Sequence, residues 1–222
     1  EALFPGRNCV VTGTPVRRDL GAPMDRKAAL ATFRLDPERK TLLVMGGSQG
    51  ASGINQILFK CAPLLGRESL QIIHLTGDRD DRLAAANYQR ENIPHYVAPF
   101  HHRMEEVLSA ADLVVSRAGA ASLSELSQFG LASVLIPYPF ATDDHQTHNA
   151  NVFVNGGAAE LQREPEVVPE AFAALIANLL ANDGRRQEMS AAARALLPRN
   201  AAENVADEIE AAGYPRPLVI VE

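Results

Sequence analysis

Three short stretches of this sequence gather residue types able to hold an anion and a sugar. The first is 46–51, Gly-Gly-Ser-Gln-Gly-Ala. It follows the apolar run 41–45 and leads into 51–65, where Ile54, Ile57, Leu58 and Cys61 keep the i, i+3, i+4, i+7 spacing of a helix face. A strand, a glycine-rich loop and a helix start, in that order, present free backbone N–H groups and the positive end of a helix dipole, which suits a phosphate. The same spelling also serves a tight βα turn that needs glycine only for its backbone angles. The second stretch, 116–125, reads Ser-Arg-Ala-Gly-Ala-Ala-Ser-Leu-Ser-Glu. Gly119, Ala120 and Ala121 let a ligand approach the amides at a helix start, and Ser122 adds a hydroxyl. Leu123, Leu126 and Phe129 form the buried stripe, leaving Ser124, Glu125 and Gln128 on other faces. Glu125 is then either a solvated carboxylate favourable to the dipole or an acceptor for two hydroxyls of a ribose. The third stretch, 137–150, is Pro-Tyr-Pro-Phe-Ala-Thr-Asp-Asp-His-Gln-Thr-His-Asn-Ala, rich in groups that read sugar hydroxyls.

Several familiar chemistries are excluded by spelling. With Gly47 and Gly50 as the third and sixth positions of a dinucleotide fingerprint, the first would be Met45. No lysine follows Gly50 or Gly53, so there is no P-loop. Asp78-Arg-Asp80 spells the DxD triad of metal-dependent glycosyltransferases, but acidic residues here also suit the cap of the following helix. Asp143, Asp144, His145 and His148 lack a third ligand at a known metal spacing. No Ser/His/Asp order or reactive-cysteine context stands out, and the pair His101-His102 is uninformative without geometry.

The elements that must position these groups follow from the pattern. Strands are expected at 9–12, 41–45, 70–75, 96–98, 113–116, 133–137 and 158–161. Helices are expected at 51–65, 79–90, 103–110, 120–129 and 144–154, with Pro63 fraying the end of the first. A helical final third spans 169–181, 185–197 and 202–211, and the tail 214–222 reads as an edge strand or a disordered end. Strand–helix alternation with continuous apolar strands implies an α/β fold, a doubly wound parallel sheet with a helical C-terminal part. The polar and glycine-rich clusters at 46–50, 76–77, 100–102, 117–122 and 138–146 all follow strand C-termini, where open parallel sheets bind ligands.

The 222 residues suffice for one substantial domain, or at most two small ones. A net charge of −6 and no Lys/Arg block argue against a nucleic-acid surface. No apolar stretch approaches the ~20 residues that span a bilayer. Two cysteines make neither a disulfide framework nor a zinc knuckle, which makes a reducing cytoplasm the default. The chain opens on Glu1 without an initiator Met or signal peptide, which reads as a segment of a longer protein.

Taken in order, 46–51, 116–125 and His145-Gln-x-x-Asn-Ala150 resemble the C-terminal domain of the MurG family, bacterial N-acetylglucosaminyltransferases that convert lipid I to lipid II in peptidoglycan synthesis. Gly13-Thr-Pro-Val-Arg17 resembles the family's Gly-Asn-Pro-Val-Arg, and the likeness runs from about Pro5 to Gly213. It implies one Rossmann-like half of a GT-B fold: 1–20 as the end of an N-terminal domain plus connector, 21–213 as the donor domain, and 214–222 as a tail. It places Arg17 and Ser48 near the diphosphate of UDP-N-acetylglucosamine. Ala120, Ala121, Ser122, Leu123, Ser124 and Glu125 would hold phosphate through backbone amides, with Glu125 on the ribose. Gln146, with His145 beside it, would read the N-acetylglucosamine hydroxyls. His101 falls where the family contacts uracil, at a position usually apolar.

The resemblance further implies an inverting transfer with no cofactor and no metal. The acceptor, a lipid-linked muramyl peptide, would be held by an N-terminal domain outside these residues, so no catalytic base is assignable. It implies a cytoplasmic protein, with the full-length enzyme peripheral on the cytoplasmic face of the inner membrane. Two other readings fit: a donor-binding subunit that docks on a separate membrane partner, and a non-catalytic sugar-nucleotide-binding domain.

Overall fold

The computed structural model describes residues 9–17, 20, 22–47, 51–198 and 200–213. Ser48 and the rest of the glycine-rich turn through Gly50, and the tail 214–222, lie outside the described residues. Six parallel strands form one sheet in the order β3-β2-β1-β4-β5-β6. They are β1 (Lys40–Met45), β2 (Leu70–Leu75), β3 (His95–Ala98), β4 (Leu113–Ser116), β5 (Ser133–Leu135) and β6 (Ala159–Leu161). The helices are α1 (Arg26–Thr32), α2 (Ser52–Leu65), α3 (Asp81–Arg90), α4 (Met104–Ala110), α5 (Ala120–Phe129), α6 (His145–Asn155), α7 (Pro169–Ala181), α8 (Asp183–Leu196) and α9 (Ala201–Ala211).

Both faces of the sheet are buried, which is why the strands read as continuous apolar runs. Leu43, Met45, Ile73, Val114 and Leu135 belong to one core, while Leu42, Val44, Ile72, Val115 and Val134 belong to the other. The period-two alternation of each strand divides its side chains between the two layers. α2, α3 and α7 cover one face; α1, α4, α5 and α6 cover the other, and α8 packs on both α5 and α7.

Strand order reverses between β1 and β4, and register places Met45 opposite Ser116. Met45 also aligns with Leu75, and Leu75 with Ala98. The loops that follow β1, β2, β3 and β4 therefore leave the sheet side by side, at the point where open α/β sheets form a ligand crevice.

Two expectations differ from the structure. Residues 9–12 form no strand; Val10 and Val11 are exposed, and no strand among the described residues offers them a ladder. α1 lies between the expected strands at 9–12 and 41–45, where no element was expected. Its seven residues bury only Ala29 and Leu30, too few to show a period. Tertiary ties hold it: the Asp25 carboxylate caps it by accepting from Ala28 N, and Arg26 Nη2 donates to Asp112 Oδ2 at 2.6 Å. α2 continues past Pro63 and closes at Leu65, where Gly66 N donates to Ala62 O.

Candidate functional site

A cavity of about 320 Å³ opens at the β1–β4 switch point. Met45, Leu75, Pro99, Phe100 and Met104 form its apolar wall, and Arg17, Ser122 and Glu125 supply polar groups, with Gly47 and Ala121 between them. A mostly apolar concavity with a few convergent polar groups is the usual make-up of a small-molecule site. A larger cavity, about 550 Å³, lies behind Arg17 between α5, α8 and α9. None of the loops after β1, β2 or β3 reaches it, so the smaller cavity is the candidate.

The N-terminus of α5 meets the cavity through Ala121 and Ser122, and that of α2 begins a few residues after Gly47, another of its lining residues. α2 begins after Ala51 and α5 after Gly119; neither has a side-chain cap or an acidic residue in its first turn. By contrast α3, α4 and α7 carry acidic first-turn residues. Uncapped first-turn N–H groups with the positive dipole end form an anion site. Gly47 has φ +87, a conformation that favours glycine. Gly119 has an ordinary φ, and nothing lies within 4 Å of where a Cβ would sit, so its missing side chain leaves room for a ligand.

Glu125 is half-buried on α5, and burial raises its carboxyl pKa while Arg17 partly offsets the rise. The two expected site residues thus face each other electrostatically across the cavity. Ala121 and Ser122 share that cavity, whereas Ala120, Leu123 and Ser124 line a smaller one of about 130 Å³ with Asn149.

The loop after β5 is bound to the loop after β4 by α6. Gln146 Oε1 accepts from Ala118 N at 3.2 Å and from Tyr138 N at 3.0 Å. Asn149 Nδ2 donates to Ala118 O at 3.1 Å. These two donors to one oxygen fix the Gln146 amide and leave its –NH₂ as the donating end. His145 Nδ1 donates to Thr142 O at 2.8 Å, making Nε2 the ring's acceptor. Just before them Asp143 and Asp144 both have positive φ, 52 and 50, rare for non-glycine residues.

His101 turns inward. Its Nε2 meets Glu106 Oε2 at 2.9 Å, Nδ1 meets Tyr96 Oη at 3.3 Å, and the ring lies edge-on to Phe33. The cavity wall is formed instead by Phe100, which opens the 100–102 cluster, and by Pro99 just before it, an apolar residue that no polar or glycine pattern marks. Asp80 precedes α3 but makes no capping bond. Its Oδ2 accepts from Asn55 Nδ2 at 2.7 Å, part of a buried chain in which Asn55 Oδ1 accepts from His74 Nε2 and Tyr88 Oη donates to His74 Nδ1. The expected capping role is therefore corrected: a tertiary donor took the carboxylate. Among the described residues no three His, Cys, Asp or Glu side chains converge as a metal set, and no helix is long and apolar enough to cross a membrane.

Residues 41–209 match the model of the glycosyltransferase family 28 C-terminal domain. The chain is 38% identical over 196 residues to the UDP-N-acetylglucosamine–N-acetylmuramyl-(pentapeptide) pyrophosphoryl-undecaprenol N-acetylglucosamine transferase of Desulforamulus reducens, covering 85% of this chain and 52% of that protein. The protein of the same name from Xanthomonas axonopodis pv. citri is 39% identical over 209 residues, covering 93% and 47%. The crystal structure of Acinetobacter baumannii MurG superposes with a TM-score of 0.76 at 32% identity, covering 94% of this chain and 57% of that one. The chain spans about half the length of the curated relatives it matches. Six parallel strands, the crevice at their switch point and a family match over most of the sheet give one conclusion: the chain belongs to the glycosyltransferase family 28 C-terminal domain family.

Proposed function

We propose that this chain is the donor-binding half of an inverting glycosyltransferase that moves N-acetylglucosamine from UDP-N-acetylglucosamine to a lipid-linked muramyl-peptide acceptor. The observation that carries this reading is the crevice between β1 and β4, where the uncapped start of α5, Arg17 and Glu125 line one cavity and the uncapped start of α2 follows the loop that leaves its wall at Gly47. The named activity of relatives at 38–39% identity agrees with it.

In this reading the amides that open α2 and α5 hold the diphosphate, with Arg17 and Ser48 beside it. Glu125 accepts from the ribose hydroxyls, and the apolar wall from Leu75 to Met104 receives the base, near the backbone of His101. The Gln146 –NH₂ and His145 Nε2 face sugar hydroxyls. The acceptor hydroxyl attacks the anomeric carbon, the bond to the β-phosphate oxygen breaks, and UDP leaves. The helix N-termini and Arg17 stabilise negative charge growing on that diphosphate, a preorganised electrostatic contribution. The acceptor pocket and general base belong to a second domain, and the whole enzyme works peripherally on the cytoplasmic face of the membrane.

Calorimetric titration of the isolated chain tests this. It is expected to bind UDP and UDP-N-acetylglucosamine, with affinity unchanged by EDTA, and to transfer no sugar. Failure to bind UDP overturns the reading, and binding that strictly requires Mn²⁺ replaces it with a metal-dependent one.

A further inference from the structure

Arg117 leaves the end of β4 and is buried, with 7% of its surface exposed. Its guanidinium reaches across the loop after β5: Nη1 donates to Ile136 O at 3.1 Å and Pro137 O at 3.0 Å, and the plane sits 5.4 Å from the Tyr138 ring centroid. The other terminal nitrogen, Nη2, lies 2.5 Å from Glu164 Oε2. Glu164 belongs to none of the three stretches that carry the site's chemistry. It begins a short 3-10 turn, Glu164–Glu166, just after β6.

The same carboxylate touches a fourth segment. A Cβ added to Gly53, in the first turn of α2, would overlap the Glu164 carboxylate. Glycine at 53 is what lets the carboxylate reach the helix start, where its charge also complements the dipole. One acidic side chain is therefore held between a buried cation and the N-terminus of α2. Through these contacts the openings of α2 and α5 and the loop after β5 are fixed relative to one another. Arg117 is followed directly by Ala118, whose N–H and C=O are the groups gripped by Gln146 and Asn149.

We propose that Glu164 is a positioning residue of the donor site: acting through Arg117 and Gly53, it sets the spacing between the two helix N-termini that cradle the diphosphate. This rests on the donor-binding reading above. Two sets of amides share one anion only if their separation is right, and misplacement by about 1 Å can cost orders of magnitude in function. Without the carboxylate, Arg117 also becomes an uncompensated buried cation and must move.

Two variants approach the contact from opposite sides. Glu164→Ala removes the carboxylate. Gly53→Ala keeps it but displaces it, because the obstructing atoms are the far end of a flexible side chain, while alanine itself favours the helix. Calorimetric titration of the parent and both variants with UDP and with uridine is the experiment. Both variants are expected to lose roughly tenfold or more in UDP affinity and about twofold or less in uridine affinity. Gly53→Ala is expected to melt at or above the parent temperature, which a merely structural role would not allow. Glu164→Gln, which keeps an acceptor oxygen for Arg117, should recover part of the UDP affinity. If the parent binds UDP and both alanine variants match it, the positioning role is overturned while donor binding stands. Equal losses for UDP and uridine, with lowered melting temperatures for both variants, also overturn it. A parent that does not bind UDP removes the donor reading itself, and this proposal with it.

Discussion

The side-chain oxygen of Gln146 accepts a hydrogen bond from the backbone N–H of Ala118, 3.2 Å away and 28 residues earlier in the chain. With Tyr138 N on the same oxygen, this amide welds two loops of the crevice and still has its –NH₂ to offer a ligand. A residue that appears in sequence as a sugar reader is also a structural tie. Replacing it by Glu keeps the acceptor oxygens and removes the donor. Gln146→Glu is expected to narrow the affinity difference between UDP-N-acetylglucosamine and UDP by roughly tenfold. Calorimetry with both ligands checks this, since the ratio cancels any general effect of the added charge on the diphosphate. An unchanged ratio would exclude the –NH₂ from the sugar.

Glu125 is half-buried, so its replacement affects stability as well as binding. On the proposed ribose contact, Glu125→Gln should weaken UDP by about tenfold or more through two weakened charge-assisted bonds. A 2′,3′-dideoxyuridine nucleotide should bind both proteins with similar, weak affinity. The linkage sign follows from the raised pKa. The folded state prefers the protonated carboxyl, so this contribution to stability is complete below the unfolded value of 4.5 and is lost as pH rises through the folded value. At neutral pH the variant should therefore unfold at a slightly higher urea midpoint than the parent, an advantage that disappears near pH 4.5. Equal losses for the ribose and dideoxy ligands would place Glu125 off the ribose.

His74 is fully buried, and burial lowers its pKa from 6.5 to about 3. The ring is satisfied while neutral: Tyr88 Oη donates to Nδ1, and Nε2 donates to Asn55 Oδ1. Below pH 6.5 the unfolded chain binds a proton that the folded chain refuses, so stability falls with acid until the folded pKa near 3 is reached. The slope is up to ~1.4 kcal/mol per pH unit for one proton. His74→Gln should be less stable at pH 7 but show a shallower decline between 6.5 and 3. Urea titrations across this range measure it; parallel declines would remove His74 from the acid response.

Asp112 Oδ2 accepts from Arg26 Nη2 at 2.6 Å and from Thr41 N at 2.7 Å, joining α1 to the starts of β1 and β4. Asp112→Ala leaves a backbone donor and a guanidinium without that acceptor and should cost about 2–4 kcal/mol. Hydrogen exchange should accelerate first in α1. A loss below ~0.5 kcal/mol would mean α1 is held by its apolar contacts alone.

The periodic information in this sequence determined the sheet, because strands buried on both faces must be apolar throughout and their crossover helices must show one apolar stripe. Leu70–Leu75, Leu113–Ser116 and Ala120–Phe129 are legible to the residue for that reason. The small-residue turn at 117–119 between β4 and α5 was legible too, because an apolar strand gives way there to a helical stripe. What the tertiary structure alone decided is where polar side chains turn. His101 faces Glu106 and Phe33 rather than the cavity, Asp80 serves Asn55 instead of a cap, and α1 exists through Asp25 and Asp112 rather than any period of its own. Glu164 gave no sign in sequence, because its partners Arg117 and Gly53 lie 47 and 111 residues earlier and meet it only once β6 has joined the sheet. Local spacing encodes backbone shape; the direction of a hydrogen bond depends on which distant donor arrives beside it.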